Sequence, residues 1–216
     1  AHGLAGGTVH IHPQQRQPWE IYVNTSGKRF VREDVPSVDA REQALHFQPH
    51  LRHWVVFDQT VLDKAPPMLE GWTRDDLVSA LKGPDANFFR SETIQGLAKA
   101  IGVPEKALAD TVEGYNYGVH TGNDFFGRKH LPTKLQQAPY YAIQHQGTSI
   151  TSTAGIAVNE ALQVIRRDKS AIPNLYAAGE ILGSGATQGQ AFCGGMMVTP
   201  ALTFGRLLGE RMIRLG

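Results

Sequence analysis

Gly183–Gly189 reads GSGATQG. Its G-x-G-x-x-x-G spacing is one residue away from the G-x-G-x-x-G fingerprint that binds dinucleotides. In that fingerprint a helix follows at once and its free amides meet the pyrophosphate. Here more chain intervenes before the next helix, and no acid follows at the distance a βαβ unit requires. The spacing alone is a weak sign of nucleotide binding. Gly194–Gly195 are more informative, because they stand directly before MMVTPALTFG. Glycines let a backbone approach a flat ligand closely. The first-turn amides of the following helix are unpaired and carry partial positive charge. Such a helix start suits an electron-rich ring that becomes anionic during chemistry, as the N1/O2 edge of a reduced flavin does. A close-packed helix entry with no ligand fits the same residues.

The remaining reactive residues are less specific. His10 and His12 in HIH would lie on one face of a strand, but a third ligand is not visible nearby, so they read as surface histidines and no metal is expected. Cys193 has no His or C-x-x-C partner and reads as a packed thiol. Asn24–Ser26 matches a glycosylation sequon and reads as a turn. With 21 basic and 20 acidic residues the charge nearly cancels, which implies no nucleic-acid partner. The single cysteine excludes an internal disulfide and fits a reducing, cytoplasmic setting. No apolar run approaches the ~20 residues of a membrane span. The chain begins AHGLAGG without methionine and reads as a processed product, a designed chain or a fragment.

Certain elements must position these residues. Strands are expected at Glu20–Asn24, Arg29–Val31, His53–Asp58, Tyr140–Gln146, Ile156–Glu160 and Leu175–Ala178, from their alternation and β-branched content. A helix starts after the cap Thr73 and stops at Gly83; another starts after Ser91 and stops at Gly102. A third opens at Pro104, with Leu108, Val112 and Tyr115 on one face. Residues 122–132 read as a loop, and Thr199–Arg214 as a strong amphipathic helix.

At this point NLYAAGEILG…GG…TPALTFGRLLG resembles the C-terminal end of flavoproteins of the fumarate reductase/succinate dehydrogenase family. IYVNTSGKRFVRE, LAKAIGVPEKALADTVEGYN, GNDFFGR, PYYAI and TAGIAVN resemble further family stretches in the same order. The resemblance implies an α+β fold in which residues 1–150 form the capping, substrate-closing domain. Residues 151–216 would form the C-terminal strand–helix section of an α/β FAD-binding domain. The family's true dinucleotide fingerprint lies in an N-terminal segment, so the chain reads as part of a larger flavoprotein. Alone it is expected to be inactive, to bind FAD poorly, and to self-associate through apolar surface on residues 151–216.

The resemblance also implies residue roles. Glu180 takes the position of a carboxylate on the flavin ribityl hydroxyls. Gly194, Gly195, Met196, Met197 and Val198 take the positions whose backbone lies against the pyrimidine of the isoalloxazine. The family's dicarboxylate-binding cations do not carry over: their positions fall on Ser37, Thr151 and Phe192. Two carboxylates need paired cations, so a substrate other than fumarate or succinate is expected. PALTFG resembles the ketosteroid dehydrogenases as well, but their catalytic tyrosine would fall on Ala191. The expected reaction moves a hydride between FAD and a carbon beside an electron-withdrawing group of a small-molecule substrate. Arg41 and Thr151 are the catalytic candidates, while Tyr115 and His145 read as structural. The rival reading is a non-catalytic ligand-binding domain that keeps the cap fold.

Overall fold

The run Arg52–Asp58, RHWVVFD, forms the central strand β2 of a four-stranded antiparallel sheet. β1 (Ile21–Asn24) pairs with one edge of it, and β4 (Tyr140–Gln146) with the other. β3 (Phe88–Ser91) adds to the far side of β4, giving the order β1-β2-β4-β3. The computed structural model describes residues 16–69, 71–84, 86–147, 152–185, 195 and 197–215. The chain divides into two compact units, residues 1–147 and 148–216.

In the first unit the register couples Asn24 to His53 and His53 to His145 across the strands. Because side chains alternate, Tyr22, Asn24, His53, Val55, Ile143 and His145 share one sheet face. Ile21, Val23, Trp54, Val56 and Ala142 share the other. α1 spans Val38–His46 and α2 Gln59–Lys64. α3 (Arg74–Lys82) starts in a full capping box, in which Asp76 N donates to Thr73 Oγ1 at 3.2 Å and Thr73 N donates to Asp76 Oδ2 at 2.8 Å. α4 (Ile94–Ile101) and α5 (Glu105–Thr121) bury Leu97, Ala98, Ile101, Leu108, Val112 and Tyr115. The cap of α4 is Thr93, not Ser91: Ser91 ends β3, and the Thr93 hydroxyl accepts from Gly96 N at 3.0 Å.

Two expected strands shrink to single bridges. Arg29 bridges Val23 and the chain then leaves the sheet, because Arg29 and Glu33 turn into a buried ion network. Val158 bridges Val164, while Ile156 N donates instead to Ile181 O at 2.8 Å. In the second unit β5 (Gln163–Ile165) and β6 (Ala171–Tyr176) form an antiparallel hairpin, so the strand expected at Leu175–Ala178 starts earlier. α6 runs from Val198 to Leu215. Among the described residues no helix is long and apolar enough to cross a membrane.

Candidate functional site

In the second unit two stretches of backbone cross closely. Residues 152–156 run beside residues 181–185. Ser184 N donates to Ser152 O at 2.9 Å, and Gly185 N to Thr153 O at 3.0 Å. The approach is so close that a Cβ on Gly155 would stand 2.1 Å from the Leu182 carbonyl carbon. One on Gly183 would stand 2.6 Å from the Ala154 carbonyl carbon, and Gly183 also has φ +78°. Only glycine satisfies both conditions. The first glycines of GSGATQG therefore have a structural reason that requires no phosphate.

This crossing leads into a single 3-10 turn, Gly179–Leu182, which packs beside the start of α6. A Cβ on Gly179 would lie 3.5 Å from Ala201 Cβ. Glu180, next in sequence, is exposed. It is thus carried one residue away from the first turn of α6. Thr199 N donates to Gly195 O at 2.9 Å, which fixes where the helical ladder begins. Val198 is 62% exposed, so the helix entry opens to its surroundings. Amides ahead of that ladder have no intrahelical acceptor and sit at the positive end of the helix. Of the sequence candidates, Glu180, Gly195, Met197 and Val198 are thereby placed around one helix start. Gly194 and Met196 lie outside the described residues, as do Thr151, Ala191, Phe192, Cys193, His10 and His12.

In the first unit the motif residues do something the sequence reading missed. Arg29 of GKRF forks onto Glu33, with Nε to Oε1 at 2.7 Å and Nη2 to Oε2 at 2.6 Å. It also pairs with Asp124 of GNDFFGR, 95 residues away. Asp124 Oδ2 further accepts from Phe126 N at 2.9 Å and Arg128 N at 3.2 Å. Arg128 is 1% exposed and donates to the carbonyls of Pro18, Glu20 and His130. Both guanidinium groups lie over the Tyr115 ring, at 5.5 Å for Arg29 and 5.2 Å for Arg128. Burial pushes the Tyr115 hydroxyl up to about 12, and it donates to Thr133 O at 3.2 Å. Burial would raise the Glu20 carboxyl, but hydrogen bonds and charge from Arg16 hold it below the usual range. The charges of these groups are balanced by one another and build the frame, with Arg16 Nε left buried without a hydrogen-bond partner among the described residues.

Ser37, at a position where the resemblance places a cation, caps α1: its Oγ accepts from Ala40 N at 3.2 Å. Arg41 lies one turn further on, partly exposed, and its Nε is sealed from solvent without a hydrogen-bond partner among the described residues. His145 sits on β4 opposite His53 with ring centroids 5.1 Å apart. Burial pushes the His145 imidazole down to about 4 and that of His53 to about 3.

Comparison with known proteins adds an independent result. Residues 6–197 match the model of a family described as FAD binding domain. The chain is 31% identical over 205 residues to a fumarate reductase (cytochrome) of Shewanella frigidimarina, covering 94% of this chain and 34% of that protein. It is 26% identical over 230 residues to a 3-oxosteroid 1-dehydrogenase of Mycolicibacterium smegmatis, covering 94% of this chain and 40% of that one. Among solved structures, the open conformation of a flavocytochrome c3 fumarate reductase matches with a TM-score of 0.58 at 29% identity, over 93% of this chain and 33% of that chain. The chain spans between about a third and two fifths of the length of these relatives.

Proposed function

The chain belongs to the FAD-binding-domain family that includes the fumarate reductases, and we propose that its second unit supplies the ribityl and pyrimidine half of a flavin site. The observation that carries this reading is the pairing of an exposed carboxylate, Glu180, with the open entry of α6. Glu180 would accept hydrogen bonds from the ribityl hydroxyls of a bound flavin. By the family resemblance the main chain of Gly194–Val198 would hold the pyrimidine edge, where the helix N-terminus favours negative charge. Main-chain contacts of this kind would tolerate methionines at those positions. The glycines at 155 and 183 fit such a role, because their crossing fixes the backbone that leads into the Gly179–Leu182 turn carrying Glu180. FAD, when bound, supplies a hydride donor or acceptor at its N5 atom.

Residues 1–150 act as the cap that closes over the substrate and excludes water. The substrate is a small molecule whose reacting carbon lies beside an electron-withdrawing group, a feature shared by fumarate and 3-oxosteroids. Fumarate and succinate themselves are disfavoured, because the Ser37 hydroxyl is engaged as a helix cap and brings no charge. Arg41 and Thr151 are the side chains assigned to orient the substrate or hold its partner proton. The phosphate-binding half of the site belongs to a segment like the N-terminal one of the family. The 216-residue chain alone therefore binds FAD weakly and is colourless.

The test uses a protein carrying both halves. Glu180→Gln is expected to lower FAD affinity at least tenfold while thermal unfolding of the apoprotein stays unchanged. Unchanged affinity, read by flavin fluorescence on titration, removes Glu180 from the site.

A further inference from the structure

Four polar atoms beneath α1 are sealed from solvent and have no hydrogen-bond partner among the described residues. They are Tyr22 Oη, His53 Nδ1, His145 Nε2 and Arg41 Nε. The strand register puts Tyr22, His53 and His145 on one face of the sheet. Their rings are neighbours, with centroids 5.4 Å apart for Tyr22–His53 and 5.1 Å for His53–His145. α1 and the turn after it lie over that face. Gln48 Oε1 accepts from Asn24 Nδ2 at 3.0 Å, Leu45 meets Gly147, and Arg41 acts electrostatically on the Tyr22 hydroxyl. Arg41, His53 and His145 are each partly exposed, so the niche reaches solvent at its rim.

Leaving buried polar atoms unpaired is costly, and all four can act as donors. Arg41 Nε can only donate. The Tyr22 hydroxyl stays protonated, because burial pushes its pKa upward. The two imidazoles stay neutral near pH 7, and each can carry its one proton on the unpartnered nitrogen when an acceptor is offered there. The nearby acceptors are already used. Glu20 takes both arms of Arg16 and the Trp19 amide, and Glu33 takes Arg29 and the Tyr22 amide.

Charge gives the same answer. In the adjoining network Arg16, Arg29 and Arg128 balance Glu20, Glu33 and Asp124. Arg41 has no ion pair among the described residues and is the one cation left over. Arg52, on β2, lies on the opposite face by register. A surplus of donors with one net positive charge calls for an acceptor bearing one negative charge. We infer that Arg41, Tyr22, His53 and His145 form a carboxylate subsite for a small monocarboxylic acid. That this acid is the substrate rests on the flavoenzyme reading; the binding itself does not.

Propionate is the probe, titrated into the 216-residue chain without FAD at pH 7 and constant ionic strength. The readout is the nitrogen resonances of the imidazoles, assigned with His53→Asn and His145→Asn. The expected result is a saturable shift of both rings, with Arg41→Gln and Tyr22→Phe each weakening binding at least tenfold. Tyr22→Phe removes only an unpartnered hydroxyl, so its circular dichroism and unfolding midpoint match the parent, and it carries the test should Arg41→Gln unfold. Absence of a saturable shift, or affinity unaltered in Tyr22→Phe, overturns the proposal. Chloride competing as well as propionate reduces the niche to a non-selective anion contact and overturns the carboxylate. Succinate binding tighter than propionate overturns the single-charge argument. Because no flavin is present, failure here leaves the Glu180 result standing, and the reverse also holds.

Discussion

Asp124 receives Arg29 and two backbone amides while 5% of its surface reaches solvent. Removing its charge leaves Arg29 with one carboxylate instead of two. Breaking a buried pair from one side costs about 3–5 kcal/mol; because Glu33 remains, Asp124→Asn is expected to cost about 3 kcal/mol, read from the urea midpoint. The paired histidines make a second, pH-dependent statement. Both imidazoles titrate below their ordinary value of 6.5, so the unfolded chain binds more protons than the folded one between pH 6.5 and about 4. Stability is therefore full above pH 6.5 and falls as pH drops through that window. His53 stands against Tyr22 and His145, and His145 feels Glu20; the partial exposure of the rings reduces the effect. The expected loss is on the order of 1–2 kcal/mol per ring at pH 5. The double variant His53→Asn/His145→Asn should flatten the curve of urea midpoint against pH between 7 and 5. An unchanged slope would refute the assignment. The carboxyls of Glu20, Asp34 and Asp124 are held below their usual range and lose their pairing at lower pH still.

At the scale of elements, what could be read in advance was what is written locally. Thr73 and Asp76 make their capping box with each other, and Leu108, Val112 and Tyr115 share a helical face, whatever the rest of the chain does. β3, β5, α1 and α2 were not foreseen. α1 leaves Glu42, Gln43 and His46 exposed and carries little apolar stripe, so its pattern is weak. Ser91 resembles a cap, and its hydroxyl does accept an amide hydrogen, from Thr93 at 3.3 Å, but it stands two residues ahead of the cap itself. The crossing of residues 152–156 with 181–185 is also beyond local reading, because its glycines answer to backbone from a distant segment. That crossing gives a sharp expectation. Gly155→Ala places a methyl within 2.1 Å of backbone that has no side chain to move aside. Forced shifts of packed backbone cost about 1–3 kcal/mol or more. Amide exchange of Ser184 and Gly185, whose hydrogen bonds span the crossing, should rise selectively while β2 and β4 stay protected.

At the scale of the whole molecule, the family was legible from ordered motifs, but the meaning of those motifs was not. GKRF and GNDFFGR are two halves of one ion network, and nothing in either stretch names the other. The alternating strands hid the reverse case. Tyr22, His53 and His145 occupy inward positions in otherwise apolar runs, and a polar residue at such a position was the available signal. The second unit also carries well-exposed apolar side chains, among them Ile181, Val198 and Leu202, as the resemblance led one to expect. The arrangement of unit 1 has a consequence for how the chain is made. β1 and β2 emerge from the ribosome before β4, which closes the other edge of β2. The carbonyls of Pro18 and Glu20 wait for Arg128, and Arg29 waits for Asp124. Synthesis must therefore pass residue 146 before the first strands can complete their bonding. Until then their unpaired edge and uncompensated charges stay open to non-native contacts, the kind of exposure that chaperones shield in a growing chain.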